Sequence, residues 1–109
     1  MQEFRRAEHI TTQLWGGSLQ PRSGGGPFHK GDNKTHEFLQ EVKQTDKQSY
    51  SLSLKTIEKI MLQALHEGRK AMGIIQFEDK LSTRVAWMLE RDQLNLYKEL
   101  EELRSKCQE

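Results

Sequence analysis

The feature that most constrains this chain is Gly31-Asp32 followed by Glu41-Val42-Lys43, with the glycine cluster Ser23-Gly24-Gly25-Gly26 just ahead of it. Side chains on a strand alternate between two faces. On a strand from about His36 to Lys43, Phe38, Gln40 and Val42 therefore share one face, and Glu37, Leu39, Glu41 and Lys43 share the other. Asn33-Lys34-Thr35 has turn composition. A tight hairpin there, with a short first strand around Phe28 to Asp32, brings Asp32 alongside Glu41. An aspartate, a glutamate and a lysine are then held over one point. A lone Glu-x-Lys triplet is an ordinary solvated surface pair; it is the hairpin that gives it chemical meaning.

The pattern on either side predicts what supports this hairpin. Phe4, Ala7, Thr11, Leu14 and Trp15 recur at three- and four-residue spacing, the mark of a helix from about Gln2 to Trp15. Gly16-Gly17 stops it, and Ser18 to Gly31 reads as a long glycine- and proline-rich loop of the kind that is functional or unstructured. Ser49 to Ser53 is a polar connection. Leu54 to Glu67 forms a second helix, capped by Ser53 and ended by Gly68, with Leu54, Ile57, Ile60, Met61, Ala64 and Leu65 as its apolar stripe. Ala71 to Phe77 and Arg84 to Leu89 read as strands, and Asp92 caps a last helix from about Gln93 to Lys106. The order αββαββα makes residues 1–109 a single α/β domain, a mixed central sheet flanked by helices. Trp15, Phe77 and Trp87 are expected in its core.

Composition narrows the function. Seventeen Lys and Arg stand against sixteen Asp and Glu, a formal net charge of +1, so nucleic-acid binding must come from a local patch. Such a patch exists: between Arg22 and Lys59 there are seven basic residues and five acidic ones, and a cation bound by two of those carboxylates would turn the local field positive. The sole cysteine, Cys107, excludes an internal disulfide and a cysteine zinc cluster. No run of apolar residues suits a membrane span or a signal peptide, so the expected location is the cytoplasm, that of the host if the source is viral. Gly24 to Gly26 lack the Gly-Lys-Ser/Thr ending of a phosphate loop, so no nucleotide cofactor is expected.

Asp32 and Glu41 have the chemistry to bind Mg²⁺, a hard cation that takes oxygen ligands and is commonly held by one or two carboxylates. The carbonyl of Val42 lies between Glu41 and Lys43 as a third oxygen. Lys43 is placed to orient an attacking water and to offset developing negative charge. Glu8, on the flank of the inward face of the first helix, is costly there unless paired or bound to metal, and it is the candidate to complete the site.

Glu8, Asp32, Glu41 and Lys43 together resemble the PD-(D/E)xK nuclease motif, with Gly31 in place of the usual motif proline. Within that superfamily the chain is similar to the small Holliday-junction resolvases of archaeal and phage type. Those have a glutamate-bearing first helix, a serine- and glycine-containing loop, and then the D…ExK hairpin. The resemblance implies a restriction-endonuclease-like fold and a homodimer that cuts four-way DNA junctions in pairs with Mg²⁺, for which Mn²⁺ substitutes. It also implies that Arg22, Ser23, Gly24, Lys30, Lys34 and Lys47 contact DNA, Ser23 lying in the loop against the scissile strand. Another nicking, repair or restriction-like endonuclease on this scaffold is the first alternative, and a non-catalytic DNA-binding module the second. Leu94, Leu96, Tyr97, Leu100 and Leu103 give the last helix an apolar side, which packs on its own sheet or makes a dimer contact; the second helix is the other candidate for that contact.

Overall fold

The computed structural model describes residues 3–20 and 31–108. Its elements run α1 (Glu3–Trp15), β1 (Ser18–Leu19), β2 (Gly31–Lys34), β3 (Phe38–Thr45), α2 (Leu54–His66), β4 (Lys70–Phe77), β5 (Arg84–Met88) and α3 (Glu90–Cys107). The five strands lie in chain order, β1-β2-β3-β4-β5. Neighbours are antiparallel except β3 and β4, which are parallel. A parallel pair needs a crossover, and α2 supplies it. The expected α/β domain with a mixed sheet is therefore present. Among the described residues no helix is long and apolar enough to cross a membrane.

The helices cover opposite faces. Ala7 of α1 packs on Val42, Met72 and Ile74, with Phe38 and Met88 at the margin. Ile60 and Ala64 of α2 pack on Leu39 and Ala71, with Met61 and Trp87. The alternation of β3 thus sends Val42 to the α1 side and Leu39 to the α2 side. Ser53 caps α2 by accepting from the Thr56 backbone N–H, and Gly68 follows the helix at φ +70°, a conformation natural to glycine.

Several elements differ from expectation. Ser18 and Leu19, read as loop, pair with Lys34 and Asn33 as a short edge strand. The hairpin turn falls one step later than its composition suggests: Asn33 and Lys34 are still paired, with Gln40 and Leu39, and Thr35 closes the turn by accepting from the Phe38 N–H at 2.9 Å. Residues 28–30 lie outside the described residues. α3 begins earlier, with Leu89 rather than Asp92 in the cap position. Trp15 sits on the surface, 43% exposed, edge-on to Phe38 with ring centres 6.0 Å apart. Leu14, Leu54 and Leu65, expected to face inward, are exposed.

For Trp15 and Leu14 the reason is that the α1 face is not wholly apolar. Thr11, Asn33, Gln40 and Gln76 are all fully buried there. Asn33 donates to the Gly16 carbonyl at 2.8 Å and to Gln40 Oε1 at 2.9 Å, and accepts from Thr12 Oγ1 at 2.8 Å. Gln40 reaches the Met72 sulfur at 3.3 Å. Arg84 on β5 donates to Gln76 Oε1 and to Thr11 Oγ1, and burial lowers its pKa. This amide and guanidinium network ties α1 to β2, β3, β4 and β5, and satisfied buried polar groups of this kind fix one arrangement.

Surface carboxylates set the acid limit of the fold. A hydrogen bond from Lys70 lowers the pKa of Glu37, one from Lys34 lowers that of Glu67, and the Thr83 backbone N–H lowers that of Asp79. Each folded value lies below the unfolded one, so the stabilisation is present above the unfolded value and is lost as pH falls through the folded one. Melting temperature should be flat near neutrality and decline below the ordinary glutamate value of 4.5. Glu67→Gln should flatten part of that decline in thermal melts taken as a function of pH; an unchanged slope would count against the Lys34 pairing.

Candidate functional site

The register of the sheet assembles the site. Asp32 is the direct partner of Glu41, Glu41 of Gly73, and Gly73 of Trp87. These four positions form one row across β2, β3, β4 and β5. Residues directly opposite on an antiparallel pair have Cβ atoms about 5 Å apart on the same face, so the two carboxylates are neighbours. Lys34, two residues after Asp32, reaches Glu67 just past the end of α2 at 2.8 Å, which places the Asp32 side of β2 on the α2 face. Leu39, two before Glu41, packs on α2. Lys43, two after Glu41, continues the same face and brings its Nζ to 3.3 Å from Glu41 Oε1.

Glu41 is 5% exposed and Lys43 30%. Both line a crevice too tight to hold a water molecule, together with Tyr50, Thr56, Ile60 and Trp87. Beneath the Trp87 ring lies Gly73. A Cβ at that position would overlap the Trp87 indole ring, so the glycine lets the indole lie flat against the strand one place from Glu41. Overpacking of this kind costs about 1–3 kcal/mol. Gly73→Ala should lower thermal stability by that amount and shift Trp87 emission, read in a Trp15→Phe background; unchanged emission would mean the ring does not rest on residue 73.

β2 begins at Gly31, opposite Val42. Glu8 belongs to the other layer. It is 2% exposed and lies one helical turn before Thr12, which bonds Asn33. One turn is about 5.4 Å, or nearly two strand residues. Glu8 therefore stands level with the Gly31–Val42 pair on the α1 side, and meets the Asp32–Glu41 side only around the start of β2. Among the described residues no three carboxylate, imidazole or thiol side chains gather as a cation cage. Asp32, Glu41 and Lys43 share one face of the sheet, and Glu8 is buried on α1.

Of the residues expected at DNA, Arg22, Ser23, Gly24 and Lys30 lie outside the described residues. Lys34 is ion-paired with Glu67, which also holds Arg69 at 2.8 Å. Lys47 is exposed just past β3, near Asp46, Glu78 and Asp79. Sequence reasoning missed Gly73 and Trp87 as parts of the site. An isolated glycine inside the strand pattern of Ala71 to Phe77 is the signal that could have found them, because it marks a close approach. Set against known proteins, the chain matches no family model, no curated protein and no solved structure.

Proposed function

We propose that this chain is a metal-dependent, structure-selective DNA endonuclease of the PD-(D/E)xK kind that resolves four-way junctions by paired cuts, acting as a homodimer. The observation that carries the reading is the register of Asp32 with Glu41, with Lys43 on the same face and at 3.3 Å from Glu41. An antiparallel β2–β3 hairpin, a helix on each face and a parallel β3–β4 step suit a restriction-endonuclease-like arrangement. The donor set fits Mg²⁺ or Mn²⁺: two adjacent carboxylates, with the Val42 carbonyl where β2 ends. Such a cation supplies Lewis-acid polarisation of the phosphate and a more acidic bound water.

The protein's own groups do the rest. Lys43 offers a cationic donor to the attacking water and to the phosphate oxygens, and its contact with Glu41 fixes where that donor sits. Gly73 and Trp87 wall the crevice on the side of β4 and β5. Arg22, Ser23, Gly24, Lys30 and Lys47 supply backbone contacts that position DNA without reading its sequence. Two sites related by a two-fold axis deliver the paired incisions. The cytoplasm is the compartment that suits this activity.

The test is incubation of the purified protein with a synthetic four-way junction in Mg²⁺ and in EDTA. Symmetric paired nicks in Mg²⁺ alone are expected. Equal cutting of linear duplex would move the assignment to a less selective endonuclease. Junction binding without cleavage in any divalent cation would overturn the enzyme and leave a binding module.

A further inference from the structure

α3 carries an apolar seam that the other described residues leave largely uncovered. Leu89, Gln93, Leu96, Leu100, Leu103 and Cys107 follow at alternating intervals of four and three residues, the repeat of a coiled-coil seam. No α3 residue is buried. Leu89 and Leu96, nearer the sheet, are half-buried; Leu100 and Leu103 are 43% and 60% exposed, and Tyr97 beside the seam 58%. An 18-residue helix is marginal in water unless its apolar face is covered.

The charges on α3 identify what covers it. Glu90 and Asp92 make the first turn acidic, and Arg104 and Lys106 make the last turn basic. We propose that α3 pairs antiparallel with α3 of a second copy of this chain, about a two-fold axis near Lys98. That register sets Leu96 against the partner's Leu100, Gln93 against the partner's Leu103 and Leu89 against the partner's Cys107. The same register places Glu90 and Asp92 beside the partner's Arg104 and the partner's Lys106, at both ends of the pair. The apolar and ionic patterns thus agree on one alignment. A parallel pair would set acidic turn on acidic turn and basic on basic, and would align the helix dipoles unfavourably. In the antiparallel pair Glu99 meets its own copy near the axis, with Lys98 next to it on each helix.

The surface and the orientation go beyond the nuclease reading, and their test involves no cleavage. Sedimentation of the full chain should show mass rising from the 12.8 kDa of one chain to twice that at micromolar concentration. Leu100→Glu with Leu103→Glu should hold it at one chain, with a partial loss of helical circular dichroism from α3 alone and cooperative unfolding of the rest retained. Glu90→Lys with Asp92→Lys should weaken association about tenfold, as expected for several surface ion pairs lost together. Adding Arg104→Glu and Lys106→Glu should restore it. Under mild oxidant Cys107 should stay unlinked, because the two thiols lie at opposite ends of a helix about 27 Å long. Leu96→Cys with Leu100→Cys, in a Cys107→Ser background, should link readily. A one-chain mass at every concentration, association that survives the two glutamates, failure of the charge swap to rescue, or ready linkage of Cys107 would each overturn the proposal.

Discussion

Glu41→Gln is expected to abolish junction cleavage while leaving the fold at least as stable as before. Asp32 and Glu41 stand directly opposite each other, and like charges at that spacing destabilise an antiparallel pair. Glu41 is almost wholly removed from solvent, and Lys43 offsets part of its charge at 3.3 Å. Loss of cleavage without loss of stability would mark the carboxylate as kept for its chemistry. Removing either carboxylate should lower the cleavage rate by at least about 10³-fold, and Lys43→Ala by about 10²–10³-fold, the range for losing one preorganised donor to a developing charge. Junction affinity in the absence of divalent cation should rise slightly for Glu41→Gln, since one negative charge facing a polyanion is gone. The measurements are cleavage under single turnover, binding in EDTA and a thermal melt. Cutting at the rate of the original chain would remove Glu41 from the site. A large fall in melting temperature would show instead that the carboxylate is structural.

The parts of this fold legible in the sequence are those with a local cause. Ser53 and Gly68 bound α2 because an N-terminal hydroxyl cap and a left-handed glycine act within a few residues. Alternation along β3 placed Glu41 and Lys43 together because strand periodicity is geometric. What was not legible depends on partners far along the chain. Ser18 and Leu19 have no strand signal of their own and are extended only because β2 offers an edge. The turn moved past Asn33 and Lys34 because Asn33 is held by α1 and Gln40 rather than by a turn. Trp15 and Leu14 look like core residues by spacing, yet amide side chains fill the space beneath α1. Glu8 is buried, as its position on the helix implies. No periodicity reports which face of a sheet a helix will cover.

That same amide network carries the second large effect. Asn33→Ala is expected to destabilise the chain by about 2–3 kcal/mol, a large share of the 5–15 kcal/mol typical of a whole domain. Asn33 is fully buried; its loss strands Gln40 Oε1 in the interior and removes the bonds to the Gly16 carbonyl and to the half-buried Thr12 hydroxyl, which also donates to the Glu8 carbonyl. A buried polar group left without its partner costs about 1–3 kcal/mol, and a water entering the small space recovers part of the sum. Thr12→Val removes only one of these bonds and should cost about 1 kcal/mol, so the pair of variants separates the network from a general effect of truncation. The consequence reaches the site. Asn33 points to the α1 face and Asp32 to the other, and a one-residue slip of β2 would exchange them. Asn33, anchored to α1 on one side and to Gln40 on the other, is what makes that slip costly, since it would bury a carboxylate in the amide network. Urea unfolding measures the stability term. Cleavage by Asn33→Ala under conditions where it remains folded measures the register term, and activity equal to that of the original chain would show that Asp32 is held in place without Asn33.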